Sequence, residues 1–456
     1  MAGSVVVATP TVAAQAVGLF GQTFTILSAA SLIAPVVGST ATTAGPASAV
    51  LFTVGQSGNN LTLTGKPNTI ANLLPVNGSF NLSQAELGLD GLLKQLLISN
   101  DLVDYARVIA PFTGGTFTSG QQQSILAKLE ASLIGSSQVA LSSLLSLEGA
   151  ATAALTSRQT AARQANGQSA GDEVGRGYQV WVQPFGSFLT QNASSGFYGV
   201  DGSTANSFGV VAGGDTMVRP DLRVGLALTI GNTDIDYSGN LAGNKASVLT
   251  TQLALYATWY QGHWFVDGVA GGGINGYTTH ESAPAFGGSR DADFTGTHLT
   301  ARVGSGFDWV ATNQLTITPY ASVQDTHFNL DGYTTHGLGV LDLKVSNKAF
   351  DVLQTRIGAK AAFSFVRAAY AFTPELHSYY LHNFGADRSL TTSASFVGGG
   401  PSFNTNGPAR DRDVWNVGFG LTVAKIGRVT LTGTYDYLAG GTSSDHQFAA
   451  RFKTDF

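Results

Sequence analysis

The 456-residue chain has no cysteine and little charge. Without Cys there can be no disulfide scaffold, thiol nucleophile or Cys-ligated zinc or iron–sulfur site. Charged residues make up 12% of the sequence, about half the ~25% of an ordinary globular domain, and the apolar share of 43% is not raised to compensate. Low charge combined with 10% aromatics argues against a disordered chain, and a net charge of −5 offers no basic face to nucleic acid. Long apolar runs are also missing. The best window, Val17 to Val37, is interrupted by Gly18, Gly21, Gln22, Thr23, Thr25, Ser28, Ser31 and Pro35 and has no basic segment before it. It reads as neither a spanning helix nor a signal peptide, so a signal for export would lie outside this chain. Zinc-protease and phosphate-loop motifs are absent, and the eight His lack metal spacing. No catalytic residue, cofactor or metal is expected, and the chain reads as a non-enzyme.

What is present is unevenly distributed. All five Trp, 13 of 14 Tyr and 20 of 26 Phe follow residue 170. No charge precedes Lys66, and residues 1–170 carry six basic and six acidic side chains, so the net −5 belongs to 171–456. The polar stretch from Gln164 to Arg176 marks the join.

Beyond the join, period-2 alternation is dense. Leu222, Val224, Leu226, Leu228 and Ile230 alternate with Arg223, Gly225, Ala227, Thr229 and Gly231. Ile357, Ala359, Ala361, Phe363 and Phe365 alternate with Arg356, Gly358, Lys360, Ala362 and Ser364. Such runs are strands with one apolar and one polar face. Twelve are expected, over 178–190, 206–218, 221–237, 246–261, 263–278, 294–310, 314–330, 350–366, 368–382, 412–425, 428–439 and 445–456. Short turns such as Arg219-Pro220-Asp221 and Gln261-Gly262 alternate with long Gly/Ser/Asn loops, among them 331–349 and 383–411.

A soluble sandwich would expose its polar faces and fill them with Lys and Glu. Here they are mostly Thr, Ser, Gln and Gly. The strands exceed the usual five or six residues and match the ~9–11 that cross a bilayer at a tilt. Trp259-Tyr260 and Trp264-Phe265 flank one short turn, and Phe307 and Trp309 end another strand, as interfacial girdles do. Only closure satisfies the backbone of a sheet in lipid. The fold class expected is therefore all-β, a twelve-stranded antiparallel transmembrane β-barrel. In the last strand Phe448, Ala450, Phe452, Thr454 and Phe456 alternate with Gln447, Ala449, Arg451, Lys453 and Asp455. Phe448, Phe452 and Phe456 are similar to the C-terminal signature that bacterial outer-membrane proteins present to their assembly machinery.

The ordered series Tyr178-Gln-Val-Trp-Val-Gln-Pro-Phe-Gly-Ser-Phe188, Phe208-Gly-Val-Val-Ala-Gly-Gly-Asp215, Leu222 to Gly231, Leu255-Tyr-Ala-Thr-Trp-Tyr260, Trp264-Phe-Val-Asp-Gly268 and Thr373-Pro-Glu-Leu376 resembles the β-domain of autotransporters, the type V secretion class, over about 280 residues. The resemblance implies a Gram-negative outer-membrane translocator that exports or anchors an N-terminal passenger at the cell surface. It also implies lipid, the barrel assembly machinery and the chain's own passenger as partners, and a monomer.

Under that resemblance residues 1–80, with short apolar runs at Phe24–Leu27, Val50–Val54 and Leu61–Leu63, are expected as a β-helix-like passenger remnant. Residues 81–147 show helical stripes: Leu87, Leu92, Leu93, Leu96 and Leu97; Ile125, Leu126, Leu129 and Leu133; Leu141, Leu144, Leu145 and Leu147. In 148–176 good helix formers carry almost no large apolar side chain after Leu155. A helix is ~10–12 Å across, so small faces are what a narrow lumen admits. Ala153, Ala154, Arg158, Ala161, Ala162 and Arg163 are the candidate pore-helix positions. Residues 177–456 are the barrel. Strand parity points Asp215, Arg223, Arg302, Asp308, Arg356, Lys360, Glu375 and Asp436 into the lumen, since a basic side chain on the lipid face costs ~2–4 kcal/mol near the midplane. Asn166-Gly167 sits near where some autotransporters cut their own linker, but their paired Asn is absent. The rival readings are a stand-alone porin, which leaves the N-terminal prefix unexplained, and a surface adhesin anchored by the barrel.

Overall fold

The computed structural model describes residues 20–28, 40–41, 49–74, 80–113, 117–129, 144–167, 178–193, 200–368, 370–384, 389–425 and 429–455. The first apolar runs become β1 (Thr23–Ser28), β2 (Thr40–Ala41), β3 (Val50–Ser57) and β4 (Asn60–Pro67), in the order β1-β4-β3-β2. Gly58, at φ +57°, turns β3 back onto β4, and the pairings among these strands are antiparallel. Rungs of a β-helix stack as parallel strands. The described strands are therefore a small antiparallel sheet in place of the β-helix-like remnant expected over 1–80.

The helices that follow bury most of the first two stripes. In α1 (Ile70–Leu73) the first N–H group is capped from α2 (Phe80–Ile98): Ile70 donates to Asp90 Oδ1 at 2.6 Å. Leu89, Leu92, Leu93 and Leu96 of α2 are buried, whereas Leu87 is 52% exposed on the opposite face. After α3 (Leu102–Ile109), α4 (119–129) buries Ile125, Leu126 and Leu129. Leu133 and Leu141 lie outside the described residues. A π-helical turn, Leu144–Glu148, leads into α5 (Gly149–Gly167).

Twelve strands then close on themselves: β5 (Gln179–Gln191), β6 (Ser203–Arg219), β7 (Leu222–Tyr237), β8 (Lys245–Gln261), β9 (Trp264–Ala283), β10 (Gly288–Phe307), β11 (Leu315–Leu330), β12 (Lys348–Phe363), β13 (Tyr370–Phe384), β14 (Asp413–Lys425), β15 (Val429–Ala439) and β16 (Ser443–Asp455). Each pairs antiparallel with its sequence neighbours, and β16 pairs with β5 from Ser443↔Gln191 to Asp455↔Gln179. No sheet edge is left open in this meander, as lipid requires.

Burial along the strands is inside out. In β7, Arg223, Thr229 and Thr233 are buried while Leu226, Leu228 and Ile230 are 46%, 41% and 49% exposed. The outer face is therefore the apolar one, and its solvent must be lipid. From Leu222 to Ile230, at about 3.3 Å per residue and a tilt of about 40°, the band rises roughly 20 Å, close to the ~25 Å of membrane barrels. Aromatic pairs frame it, Trp264 with Phe307 at the short-turn end (ring centroids 5.0 Å apart) and Tyr380 with Trp415 at the long-loop end (5.3 Å).

Towards the long-loop end the polarity reverses on both faces. Asp234 and Asp236 point out while Ile235 and Tyr237 are buried inside. Outward His–Asp pairs mark the same level: His280–Asp291 and His327–Asp351 at 2.6 Å, His382–Asp413 at 2.7 Å. There the strands have left the membrane and enclose an apolar cluster that includes Leu189, Val248, Tyr277, Phe294 and Leu330. Beyond it, segments 333–334, 343–345, 389–396 and 403–409 form a further four-stranded sheet. The N-terminal unit packs on that sheet through one apolar core that joins Leu89, Leu92, Leu96, Val108, Phe112 and Leu126 to Phe286, Leu341, Leu343, Phe396 and Phe403.

Candidate functional site: the lumen and its helix

Helix α5 stands inside the barrel, seated against one wall. Ala150, Ala154 and Leu155, with Leu147 before them, pack on inward residues of β5 to β9: Trp181, Phe185, Val211, Ala227, Ala254, Tyr256 and Val269. Small helix residues permit the approach, and glycines in the wall permit the aromatics. Gly213 lies opposite Trp181 on the neighbouring strand, and a Cβ there would come within 2.6 Å of the Trp181 ring.

The fixing point is Asp215. Arg158 of the helix grips it with two donors, Nε to Oδ2 at 2.7 Å and Nη2 to Oδ1 at 2.5 Å. Arg223, from the adjacent strand, donates to Oδ1 at 2.5 Å, and the Tyr256 hydroxyl donates to Oδ2 at 2.5 Å. Trp181 Nε1 in turn donates to Tyr256 Oη at 2.8 Å. Gln179 accepts from both guanidiniums, at 2.5 Å from Arg158 and 3.0 Å from Arg223. Both side chains of the Arg158–Asp215 pair are essentially inaccessible. Buried pairs of this kind contribute little net stability, yet losing one partner costs about 3–5 kcal/mol because a bare charge remains.

Further polar contacts follow the helix. Gln159 Nε2 donates to the backbone oxygens of Ala257 (2.9 Å) and Gly268 (3.2 Å), and Arg302 Nη2 donates to Gln159 Oε1 at 2.8 Å. Arg302 also reaches Thr156 Oγ1, and Arg451 Nη1 donates to Ser157 Oγ at 2.9 Å. Where the helix begins, Gln252 donates to Glu148 Oε2 at 3.1 Å, and Ser146 donates to Ser187, which donates to Asp445 Oδ1 at 2.6 Å.

Of the eight lumenal charges expected from parity, Asp215, Arg223, Arg302 and Lys360 are buried inside, and Arg356, Glu375 and Asp436 line a cavity beside the helix. Lys360 pairs with Glu375 at 3.4 Å, and Asp436 with His377 at 2.7 Å. Asp308 stands apart at the short-turn end, where Thr318 donates to it at 2.6 Å. On the helix, Ala154 and Arg158 are buried, and Ala153 and Thr156 face the cavity. The backbone of Ala161, Ala162, Arg163 and Asn166 is helical. Phe448 and Phe452 lie on the lipid face, 46% and 47% exposed, and Phe456 lies outside the described residues.

Sequence reasoning missed Tyr256, Trp181, Gln179, Glu148 and Arg451. Parity was a usable signal for Arg451, which alternates with Phe452. The sequence was also read as holding no Gly-x-Ser-x-Gly pattern, yet one stands at Gly167-Gln-Ser-Ala-Gly171. Gly167 ends α5, and residues 168–171 lie outside the described ones.

A lipid-facing twelve-stranded barrel filled by the helix that precedes its first strand is the architecture of a translocator, not of an open porin. The autotransporter β-domain family model matches residues 180–436, more than half of the chain, and the chain belongs to that family. Outer membrane protein B of Rickettsia prowazekii (strain Madrid E) is 24% identical over 298 residues, covering 63% of this chain and 18% of that protein. Outer membrane protein A of Rickettsia rickettsii is 24% identical over 301 residues, covering 63% and 13%. The chain therefore spans less than a fifth of the length of these relatives. Among solved structures, the translocator domain of the autotransporter NalP from Neisseria meningitidis superimposes with a TM-score of 0.51 at 12% identity, over 69% of this chain and 99% of that one, a likeness of fold. The barrel is the outer-membrane translocator domain of a Gram-negative autotransporter, joined to its own passenger segment.

Proposed function

We propose that the chain carries its N-terminal unit through the barrel and then holds it at the cell surface, with α5 as the segment that stays in the pore and Asp215 as the residue that arrests it. The observation behind this reading is the buried Arg158–Asp215–Arg223 cluster. Other cations pass on the chain, Lys66, Lys94, Arg107 and Lys128 among them, but Arg158 stands on the helix whose small residues Ala150 and Ala154 the wall seats, and its arrival adds a second guanidinium to Asp215 beside Arg223 of the wall. The lumenal charges keep the path wetted for a polar chain, and the apolar wall of β5 to β9 seats the helix once it forms. The alternating row Phe448, Phe452 and Phe456 serves recognition by the assembly machinery. The barrel acts as a monomer and without catalysis.

Cells bearing the chain with an epitope before Phe20 test the proposal. External protease should remove the epitope and leave Gly149–Gly167 intact. In Asp215→Ala, α5 should become cleavable while the barrel keeps its heat-modifiable mobility. A buried epitope on an assembled barrel, or a helix equally protected in Asp215→Ala, would refute the arrest.

A further inference from the structure

Where the N-terminal unit meets the barrel, the shared apolar core is not filled throughout. Between α4 and the turn Pro284–Phe286 that joins β9 to β10 it leaves a cavity of about 310 Å3. One side is a single face of α4, with Gln121, Ser124, Ile125 and Lys128 recurring at helical spacing. Ala285 and Phe286 of the turn form the other side. A space lined mostly by apolar side chains is a poor site for water and a good one for apolar ligands.

The charges that line it are Lys128, Arg290 and Glu281. Arg290 is 2% exposed; its Nε lies 3.3 Å from Glu281 Oε2, and its Nη1 donates to the Leu341 carbonyl at 3.0 Å. Among the described residues the lining thus holds two cations to one carboxylate and is net positive. Glu281 and Arg290 are the chain neighbours of His280 and Asp291, whose outward pair marks the level where the strands leave the membrane. The charged end of the cavity therefore stands at the height where the carboxylates of single-chain amphiphiles gather in the outer leaflet.

Volume and charge together select the occupant. Ligand sites run to about 300–1,000 Å3, so this one is at the small end and excludes a two-chain lipid. An apolar body with one negative end is a fatty acid of medium chain length in its ionised form. A lysine suits such a head, because its stem packs on apolar surface while the ammonium stays at the polar rim.

We infer that this cavity binds a free medium-chain fatty carboxylate, with the chain between Ile125 and Phe286 and the head towards Lys128 and Arg290. Since the ligand touches both α4 and the hairpin, it clamps the N-terminal unit to the barrel. The inference requires the two to be docked as they stand and does not depend on the arrest at Asp215.

Full-length chain in lipid nanodiscs, titrated with decanoate bearing a terminal diazirine, provides the test. Light should attach the probe saturably to α4 and the 284–286 turn, and excess decanoate should displace it. A phospholipid with the same diazirine on one chain should not label there. Ser124→Trp and Ala285→Trp fill the cavity from opposite sides, and each should lower labelling at least about tenfold. Lys128→Glu should weaken the carboxylate probe about tenfold and leave a decanol-based probe unchanged. Saturating decanoate should also slow proteolysis within α4 in wild type but not in Ser124→Trp. Wild type without saturable labelling overturns the inference, as does labelling retained in both filled variants or given equally by the phospholipid. Equal responses of the two probes to Lys128→Glu refute the role of charge, and unchanged proteolysis refutes the clamp. Surface display of the wild-type epitope is scored separately: display lost with labelling intact counts against the translocator reading and leaves the site standing.

Discussion

At the scale of single residues, a charge in this molecule means something different in each of its three environments. Inside the lumen, parity alone identified Asp215, Arg223 and Arg302, because a charge facing lipid is too costly. It could not identify what each one meets. Their partners come from strands and a helix up to 146 residues away, and the stagger between strands is not written in alternation. Tyr256 and Trp181 were missed because aromatics in barrel strands are expected outside. The signal that places them inside is the glycine across from each, Gly225 and Gly213. In the N-terminal unit, Asp90 presents a titration instead. Burial is the larger influence and raises its carboxyl above the usual 3.8, against the lowering effect of the N–H groups of Ile70 and Ala71. An acid raised on folding keeps its proton in the native state at pH values where the unfolded chain has lost it, so stability falls as pH climbs through that window, beginning near 4. Asp90→Asn keeps an oxygen acceptor for Ile70 but cannot titrate. Hydrogen exchange of α1 and α2, corrected for intrinsic rate, should rise from acid towards neutral pH in wild type and stay flatter in the variant. An identical pH profile in the two would exclude Asp90.

Elements were the most legible level. The twelve strands follow from period-2 alternation, and the helix from its run of small helix formers, because each pattern reports directly on the surface an element must hide. Strand ends were less legible. β9 and β10 extend to Ala283 and begin at Gly288, where a long loop was expected, because there the apolar residues change to the inner face and the alternation runs in opposite phase. Face assignment can be tested at one residue. Phe452 looks into lipid beside its pair partner Leu431 on the outer apolar face, while its neighbour Arg451 donates to Thr432 Oγ1 in the lumen at 3.0 Å. Phe452→Arg should cost ~2–4 kcal/mol and reduce the fraction of heat-modifiable barrel on gels. Asn232→Arg, outward on β7 but above the apolar band, should leave that fraction unchanged. Equal loss at both positions would contradict the membrane boundary drawn between Ile230 and Asp234.

For the whole molecule, the feature that sequence did not disclose is the attachment of the N-terminal unit to the far end of the barrel. Composition marked the join near residue 170. The receiving surface, however, is built from stretches read as loops, in which Leu338, Phe396 and Phe403 follow no period and the alternation of Leu341, Leu343 and Val345 is too short to mark a strand. Their partners in α2 lie more than 200 positions earlier, beyond any local pattern. Two kinds of contact hold the pieces together. Asn81 and Asn406 exchange a pair of hydrogen bonds, both at 2.9 Å, and Arg107 donates to the Leu338 carbonyl at 2.9 Å. Glycines on the two sides let backbone meet side chain: the Phe403 ring covers Gly88, where a Cβ would sit 2.6 Å from a ring carbon, and Gly400, at φ +104°, lies against the start of Leu92. Gly88→Trp should therefore force α2 away from Phe403 without disturbing the membrane strands. Limited proteolysis of the folded full-length chain should cut within Phe80–Ile98 at least about tenfold faster than in wild type, the effect expected for a loss of more than 1.4 kcal/mol of docking. Phe403→Ala, which empties the same contact instead of overfilling it, should act in the same direction. Heat-modifiable mobility should be retained in both. If α2 resists protease equally in wild type and both variants, the N-terminal unit is stable without the surface sheet, and the shared apolar core is not what holds it there.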